Sequence, residues 1–166
     1  LTVCSSLHYS YKYIHKRDFM DLREVNFNKA IDANLINNKL KGLKWISCLN
    51  PESPKIEISN LIESINLINM DTRTKGIITE YQFISVILNK YDYSPSQVWF
   101  INHVVNEDKK SRFFKSYKNL LINKIKKNNI EIFYLIKPFW SDDKIFEKGL
   151  SKNCYKKTKI NEILDV

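Results

Sequence analysis

The sequence predicts an α/β domain with a small, mainly parallel sheet of about four strands and helices on both faces, a three-layer, Rossmann-like arrangement. Four short β-prone runs, at residues 43–48, 77–81, 97–105 and 130–137, alternate with runs whose apolar residues recur every three or four positions. The third β-prone run is almost continuously apolar, which is typical of a strand covered on both faces. Alternation of strands and helices favours right-handed crossovers and a parallel sheet.

The first two predicted helices precede the sheet. An amphipathic helix is expected within residues 1–27, because Leu7, Tyr11 and Ile14 stand at helical spacing. A short second helix is expected over residues 27–40, where Gly42 can end it in a left-handed conformation.

The third predicted helix begins at Pro54, because proline at the first helical position loses no needed hydrogen bond, and Ser53 can cap it. Its apolar residues recur at spacings that place them on one face: Ile58, Leu61, Ile62, Ile65 and Ile68.

Two further helices are expected between the later strands, and one after them. Residues 82–91 place Phe83, Ile84, Ile87 and Leu88 inward. The helix before residues 128–129 carries one apolar stripe, formed by Phe114, Tyr117, Leu121 and Ile125. Its opposite face is basic, with Arg112, Lys115, Lys126 and Lys127. A short helix over residues 142–150 and a basic tail complete the prediction.

The chain is predicted to form one domain over residues 1–166, with 1–42 as a helical lead-in and 43–166 as the sheet-containing core. Hydrophobic residues make up 43% of the 166 residues, and only three glycines and four prolines are present. This composition suits a packed core with short loops. No apolar run reaches the roughly 18 residues that span a bilayer. Because the first residue is Leu1, either an end was processed or the chain is an excised part of a longer protein, and we expect the second.

The net charge of +9 is compatible with nucleic acid, an anionic membrane surface or a phosphorylated substrate as partner. It is also compatible with the Lys-, Asn- and Ile-rich composition of proteins encoded by AT-rich genomes. The three cysteines, Cys4, Cys48 and Cys154, form no CxxC pair, which excludes a zinc ribbon or a thioredoxin-type motif. One disulfide or three thiols would both fit.

Several common chemistries lack their motifs. Neither GxGxxG nor GxxxxGK[ST] can be formed from Gly42, Gly76 and Gly149, so a glycine-rich loop for nucleotide phosphates is absent from the sequence. The GxSxG turn of α/β-type serine hydrolases is absent as well. The sequence therefore predicts no cofactor and no metal site.

The remaining candidate site is positional. Ligands of open parallel sheets bind beyond the carboxyl ends of the strands. The polar residues predicted there are Asn50, Glu80, Gln82, His103 and Lys137. Glu80 would serve as an acid, His103 as a base and Lys137 as a cation that attracts phosphate. The alternative is that these are ordinary polar residues at the points where strands reach the surface.

The basic face of Arg112, Lys115, Lys126 and Lys127 has two interpretations as well. It could lie against a phosphate backbone or anionic lipid headgroups, or it could be a solvated helix surface. Modules that bind single-stranded nucleic acid usually add exposed aromatic residues. Here the predicted aromatic residues lie on the buried stripe, so nucleic acid is disfavoured as the partner.

Three stretches resemble a known group of proteins. In a group of bacterial multi-pass membrane proteins, the segment after the last membrane span is similar to the stretch that runs from His15-Lys16-Arg17-Asp18-Phe19-Met20 to Lys41-Gly42-Leu43-Lys44-Trp45-Ile46. Later segments of the same C-terminal region resemble two further stretches of this chain. These are residues 78–85, Ile-Thr-Glu-Tyr-Gln-Phe-Ile-Ser, and the run from 117 to 138 with Asn153-Cys154. These proteins look like integral-membrane glycosyltransferases that use lipid-linked sugar donors, of the mannosyltransferase type.

The resemblance implies a membrane-associated accessory domain without a complete active site of its own, because the catalytic carboxylates of such transferases lie on loops of the membrane part. The implied partners are the transmembrane portion of the same polypeptide, anionic lipid headgroups or a glycan acceptor. It leaves the side of the membrane open. The competing hypotheses are a small stand-alone α/β enzyme with its site at the strand ends, and a basic nucleic-acid-binding module.

Overall fold

The computed structural model describes residues 2–15, 22, 25–47, 49–79, 81, 83–89, 112–136 and 155–166. Within these ranges the chain is mixed α/β, as predicted, with four α-helices and two small sheets. It divides into two compact units, Leu1–Ser59 and Asn60–Val166. The single domain with a lead-in over residues 1–42 stays a prediction. The division falls inside the helix Pro54–Met70. The predicted strand at residues 97–105 and the predicted helix at 142–150 lie outside the described residues.

The first unit begins with helix α1, Thr2–Ser10, which continues as a π-helical turn over Tyr11–His15. A helix was predicted in this region. Strand β1, Ile31–Asp32, pairs antiparallel with strand β2, Lys44–Trp45. An ion pair of 2.6 Å between Lys44 Nζ and the Asp32 carboxylate joins the two strands.

The predicted helix over residues 27–40 is wrong. Three separate 3-10 turns occupy the region instead, Phe27–Lys29, Ala33–Leu35 and Asn38–Leu40. The physical reason lies in asparagines, whose side chains compete with helical backbone hydrogen bonds. The Asn26 Oδ1 atom accepts from the backbone N–H of Asn28, and the Asn37 Oδ1 atom accepts from that of Lys39, each at 3.0 Å. Gly42 adopts the expected left-handed conformation, with φ of 89°, after the last of these turns.

The first predicted strand, at residues 43–48, does form, but its assignment to the parallel sheet is wrong. β2 pairs with β1 in a separate antiparallel sheet of two strands. The turn at Gly42 brings the chain back so that Ala33 N–H donates to Leu43 O at 3.0 Å. Local closure of this kind costs less loop entropy than pairing with a distant strand.

The second unit contains most of helix α2, Pro54–Met70, followed by strand β3, Lys75–Thr79, and helix α3, Phe83–Leu88. Helix α4, Phe114–Lys127, leads to strand β4, Ile132–Ile136, and the chain ends in strand β5, Leu164–Asp165. β3 and β4 are parallel over five residue pairs, from Lys75 beside Ile132 to Thr79 beside Ile136. The parallel orientation predicted for the second and fourth β-prone runs is therefore confirmed, whereas their being neighbours was not predicted.

β5 was not predicted. It adds an antiparallel neighbour to β4, with Leu135 beside Asp165 and Ile136 beside Leu164, and the sheet order is β3-β4-β5. A tight hairpin supports it, because Thr158 and Val166 exchange backbone hydrogen bonds of 2.6 and 2.8 Å. Two strand residues are too few to produce a periodic pattern in the sequence.

The predicted apolar faces provide the core of the second unit. In α2, Leu61, Ile65 and Ile68 are buried, and Ile62 is half-buried. The sheet and the later helices contribute further buried side chains: Ile77, Ile84, Leu121, Tyr134, Ile136 and Leu164. Asparagines in left-handed conformations follow α3 and α4, Asn89 with φ of 50° and Asn129 with φ of 49°. The predicted end of α4 at residues 128–129 is confirmed.

Gly76 allows β3 and β4 to approach closely beneath an aromatic ring. Gly76 is paired with Phe133 in the parallel register. A methyl group added at Gly76 would overlap the Phe133 ring. Overpacking of this kind costs about 1–3 kcal/mol.

Gly76→Ala is therefore expected to lower the free energy of unfolding by about 1–3 kcal/mol, because the Phe133 ring must move. Urea denaturation measures the change. Phe133→Ala should couple with it, so that the double variant loses less free energy of unfolding than the two single variants lose together. Gly42→Ala is the control, since its strain comes from a positive φ and should not couple with Phe133→Ala. Additive losses at Gly76 and Phe133 would contradict the assignment.

Candidate functional site

The predicted site at the strand ends is only partly within the described structure. Glu80, Gln82, His103 and Lys137 lie outside the described residues, so a site formed by them stays a prediction. Asn50 is described and lies in a turn, where its carbonyl oxygen accepts from the Ser53 N–H at 3.2 Å. Asn50 was placed at the edge of the parallel sheet because β2 was assigned to that sheet. With β2 in the antiparallel pair, this reason no longer holds.

Ser47, which follows β2 closely, has a structural role. Its hydroxyl donates to the Glu57 carboxylate and accepts from the Leu49 N–H at 3.3 Å. Glu57 lies early in α2 and is fully buried. The contact satisfies a buried carboxylate and fixes the connection from β2 to α2, and buried charge requires such partners.

The described residues at the carboxyl end of the parallel pair also serve the fold. The Thr79 hydroxyl accepts from the Tyr81 N–H at 3.0 Å, and the buried Tyr81 ring packs 5.7 Å from the Phe83 ring between centroids. Ile136 and Leu164, neighbours in β4 and β5, are fully buried. Among the described residues this edge is therefore lined by side chains that pack or close a turn.

A polar cluster lies beside β5 and anchors its hairpin to α2. The Asn161 side-chain oxygen accepts from the N–H groups of Ile163 and Leu164, at 3.0 and 2.8 Å. Its amide nitrogen lies 2.8 Å from the Glu63 carboxylate and 3.4 Å from the Ser64 hydroxyl. Ser64 is buried and donates to the Asn60 carbonyl at 2.7 Å, so its hydroxyl proton is occupied.

A second cluster lies before the start of β3. Arg73 contacts the Asp71 carboxylate through Nη2 at 2.8 Å and Nε at 3.1 Å, while its backbone N–H donates at 2.9 Å. The Tyr134 hydroxyl, from the centre of β4, donates to the same carboxylate. Tyr134 is 1% exposed, whereas the Arg73 side chain is 54% exposed. Asp71 thus links the carboxyl end of α2 to strand β4.

The pKa values in this cluster follow from its contacts. Hydrogen bonding from Arg73 holds the pKa of Asp71 well below its usual range, and the Tyr134 hydroxyl acts in the same direction. Burial raises the pKa of Tyr134 to about 12, with a further contribution from the hydrogen bond to Asp71. Asp71 is therefore a stable anion and Tyr134 a stable phenol at neutral pH. Neither is suited to exchange protons near pH 7.

Two further contacts strengthen this edge of the second unit. The Lys75 ammonium donates to the carbonyl oxygens of Ile68 and Asp71, at the carboxyl end of α2. A positive charge is favourable there because the helix dipole is negative at that end. Thr74 and Glu131 are joined twice, by N–H to carboxylate and by N–H to carbonyl bonds, both of 2.9 Å. The arrangement explains fold stability rather than chemistry.

The basic face of α4 is exposed as predicted. Arg112, Lys115, Lys126 and Lys127 all lie on solvent-exposed positions, whereas Leu121 of the apolar stripe is buried. Sequence reasoning missed two members of the exposed surface, Phe113 and Leu120, which are 54% and 51% exposed. Their spacing of seven residues, two helical turns, was the signal that could have revealed them.

The N-terminal helical segment, Thr2–His15, forms a second unusual surface, in the first unit. None of its residues is buried. Val3, Leu7, Tyr11 and Ile14 are each more than half exposed and recur every three or four residues. Tyr9 and Tyr13 pack ring against ring at 4.5 Å, and Lys12 lies 5.1 Å from the Tyr13 ring centre. The segment therefore combines an exposed apolar stripe with tyrosine and lysine.

Comparison of the chain with protein-family models, curated proteins and solved structures finds no match. Within the described ranges, no helix has both the length and the apolar character that crossing a bilayer requires. Among those same residues, no three His, Cys, Asp or Glu side chains gather in a way that could hold a metal ion. The described residues offer two exposed helical surfaces as candidate functional features, the basic face of α4 and the stripe of Thr2–His15.

Tyr134→Phe is expected to reduce the free energy of unfolding by about 1–3 kcal/mol, because the ionised Asp71 loses a buried hydrogen-bond donor. Urea denaturation at neutral pH gives the value. Tyr9→Phe, which changes an exposed tyrosine, should leave stability unchanged within error. Equal stability of the Tyr134→Phe variant and the parent chain would contradict the structural role of this contact.

Stability is also expected to fall in acid through Asp71. Because folding lowers the pKa of Asp71, its contribution is complete above the unfolded-state pKa of about 4 and is lost as pH falls through the folded value. Asp71→Asn should be less stable than the parent at neutral pH but should lose less on acidification. Urea midpoints measured in a series from neutral pH to about pH 3 test this. Parallel curves for the two proteins would contradict it.

Proposed function

We propose that this chain is an accessory domain of a membrane glycosyltransferase that uses lipid-linked sugar donors, with a binding or regulatory role and no complete active site of its own. The resemblance of residues 15–46, 78–85 and 117–138 to the region after the last membrane span of such proteins suggests the class. The observation in the structure that best supports membrane proximity is the exposed apolar stripe of Thr2–His15.

The composition of that segment suits the boundary between lipid and water. Tyrosine is favoured at this boundary because its ring is apolar and its hydroxyl is polar. Three tyrosines lie in Thr2–His15, at positions 9, 11 and 13, beside the exposed Leu7 and Ile14. Lys12 can extend its ammonium to the headgroups while its stem stays on apolar surface. The proposal explains why large apolar side chains are exposed in this segment.

The absence of catalytic geometry in the described residues supports an accessory role. Asp71 and Tyr134 are held in single protonation states, and Ser47 and Ser64 donate to groups that fix the fold. The same proposal extends the architecture to the three-layer, Rossmann-like arrangement with a larger parallel sheet. Its basis is the parallel β3–β4 pair together with the buried residues that α2, α3 and α4 each contribute.

Membrane integration is the first test. The complete reading frame should encode several apolar runs of about 20 residues upstream of this chain. Its product should remain in the membrane fraction after alkaline carbonate extraction, because spanning helices resist this treatment. The 166-residue chain expressed alone should be released by the same treatment and serves as the control. A reading frame without such runs, or a product that carbonate releases, would overturn the membrane assignment.

Sugar transfer is the second test. Membranes that contain the complete protein are expected to transfer sugar from a polyprenyl-phosphate-linked donor, whereas the 166-residue chain alone should transfer none. Removing this chain from the complete protein should change the rate or the acceptor KM by about 5- to 150-fold, the usual range of coupling between sites. Turnover by the isolated chain, or an unchanged rate and KM after its removal, would contradict an accessory role.

A further inference from the structure

The exposed surface of α4 is rich in positive charge. Residues 112–127 contain six basic residues and no acidic residue. Within the described chain, Lys115, Lys126 and Lys127 form no ion pair with an acidic side chain. Four of the five acidic groups described in the second unit have other partners: Asp71 contacts Arg73, Asp165 contacts Lys157, Glu131 contacts Thr74, and Glu63 contacts Asn161. The surface is therefore complementary to an anionic partner.

Helix stability does not explain all of this charge. Lys124, Lys126 and Lys127 lie in the last turn, where cations are favoured by the helix dipole. Arg112 and Lys115 lie at the opposite end, where the dipole disfavours cations. That end has no acidic residue in its first turn and no side-chain cap. Positive charge at both ends, despite this unfavourable position, is expected of a surface that contacts an external anion.

Apolar side chains distinguish the kind of anion. Phe113 and Leu120 are both about half exposed and lie two helical turns apart, among the basic residues of α4. The Arg112 guanidinium lies 4.6 Å from the Phe113 ring centre. A phosphate backbone would use the basic groups but would leave Leu120 in water. A lipid surface accommodates both, since apolar side chains can enter the acyl boundary while basic groups contact headgroups.

We propose that the exposed face of α4, formed by Arg112, Phe113, Lys115, Leu120, Lys126 and Lys127, binds the headgroups of an anionic membrane surface. The inference deepens the proposed function, because it names lipid headgroups as the partner that would orient the second unit. It also stands apart from the exposed stripe of Thr2–His15, which lies in the first unit and is mainly apolar. The two surfaces can therefore be tested separately.

The test is co-sedimentation of the 166-residue chain with vesicles of equal parts phosphatidylcholine and phosphatidylglycerol. Binding should exceed that to pure phosphatidylcholine and should weaken as salt is raised. Each basic residue near such a surface contributes about fivefold to binding, so Lys115→Gln/Lys126→Gln should weaken partitioning about 25-fold. Leu120→Gln should weaken it several-fold without changing charge. Glutamine is chosen because its helix propensity is close to those of lysine and leucine.

A matched control removes the same charge elsewhere. Lys55 and Lys156 are exposed and lie outside α4, so Lys55→Gln/Lys156→Gln lowers the net charge by the same two units. If this variant loses as much binding as Lys115→Gln/Lys126→Gln, total charge rather than the α4 face is responsible and the inference is overturned. Circular dichroism and urea midpoints confirm that the compared variants are equally folded, and Arg112→Gln replaces any variant that is not.

The remaining arms separate this inference from its alternatives. Tighter binding to duplex DNA than to anionic vesicles, lost in Lys115→Gln/Lys126→Gln, would overturn the lipid assignment in favour of nucleic acid. If millimolar inorganic phosphate displaces the chain from sedimenting vesicles as effectively as added vesicles do, the lipid assignment would be overturned in favour of a free anion. Vesicle binding that depends on Leu7 and Ile14 but not on α4 would overturn this inference and leave the proposed function standing. Binding that depends on α4, in a protein without spanning segments, would support the inference while the proposed function fails.

Discussion

Strand β4 is the element through which the second unit is held together, because it is paired on both sides. It is parallel to β3 over five positions and antiparallel to β5 at its end. Its residues Tyr134 and Ile136 are almost fully buried. At Leu135 and Ile136 the strand has ladder partners on both sides, which satisfies backbone groups that would otherwise be costly to bury. The packing of α2, α3 and α4 supplies the remaining apolar contacts of the core.

Polar contacts then fix where the strands begin. The Asp71 carboxylate accepts hydrogen bonds from Arg73 and Tyr134. The Lys75 ammonium binds the Ile68 carbonyl oxygen, and the Glu131 carboxylate binds the Thr74 N–H just before β3. These contacts connect the end of α2 to the interior of the sheet. The lowered pKa of Asp71 and the raised pKa of Tyr134 are both consequences of this structural task. Perturbed pKa values therefore do not mark a catalytic centre here.

The sequence was sufficient for features that depend on periodicity and failed where short-range polar contacts decide. The apolar face of α2 and the basic face of α4 follow from spacing, and the start of α2 at Pro54 follows from the preference of proline for the first helical position. The parallel orientation of β3 and β4 was also predictable, because apolar runs separated by helices favour parallel strands, but their being neighbours was not. The turns at residues 27–40 were not, since helix-like spacing there is overridden by the side chains of Asn26 and Asn37. Strand β5 offered only two residues and no pattern.

The candidate site residues likewise divide into those that helical spacing placed and those that an assumed strand order placed. Asn50 was placed by a topological assumption about β2, and the antiparallel pairing of β2 removes that assumption. The basic residues of α4 were placed by helical spacing alone, and their exposure does not depend on strand order. The seven-residue spacing of Phe113 and Leu120 places them on one side of α4, and the structure shows that both are about half exposed there. An exposed helix face that carries both basic and apolar groups is better suited to an interface than to a solvated surface, since hydration is favourable only for the basic groups.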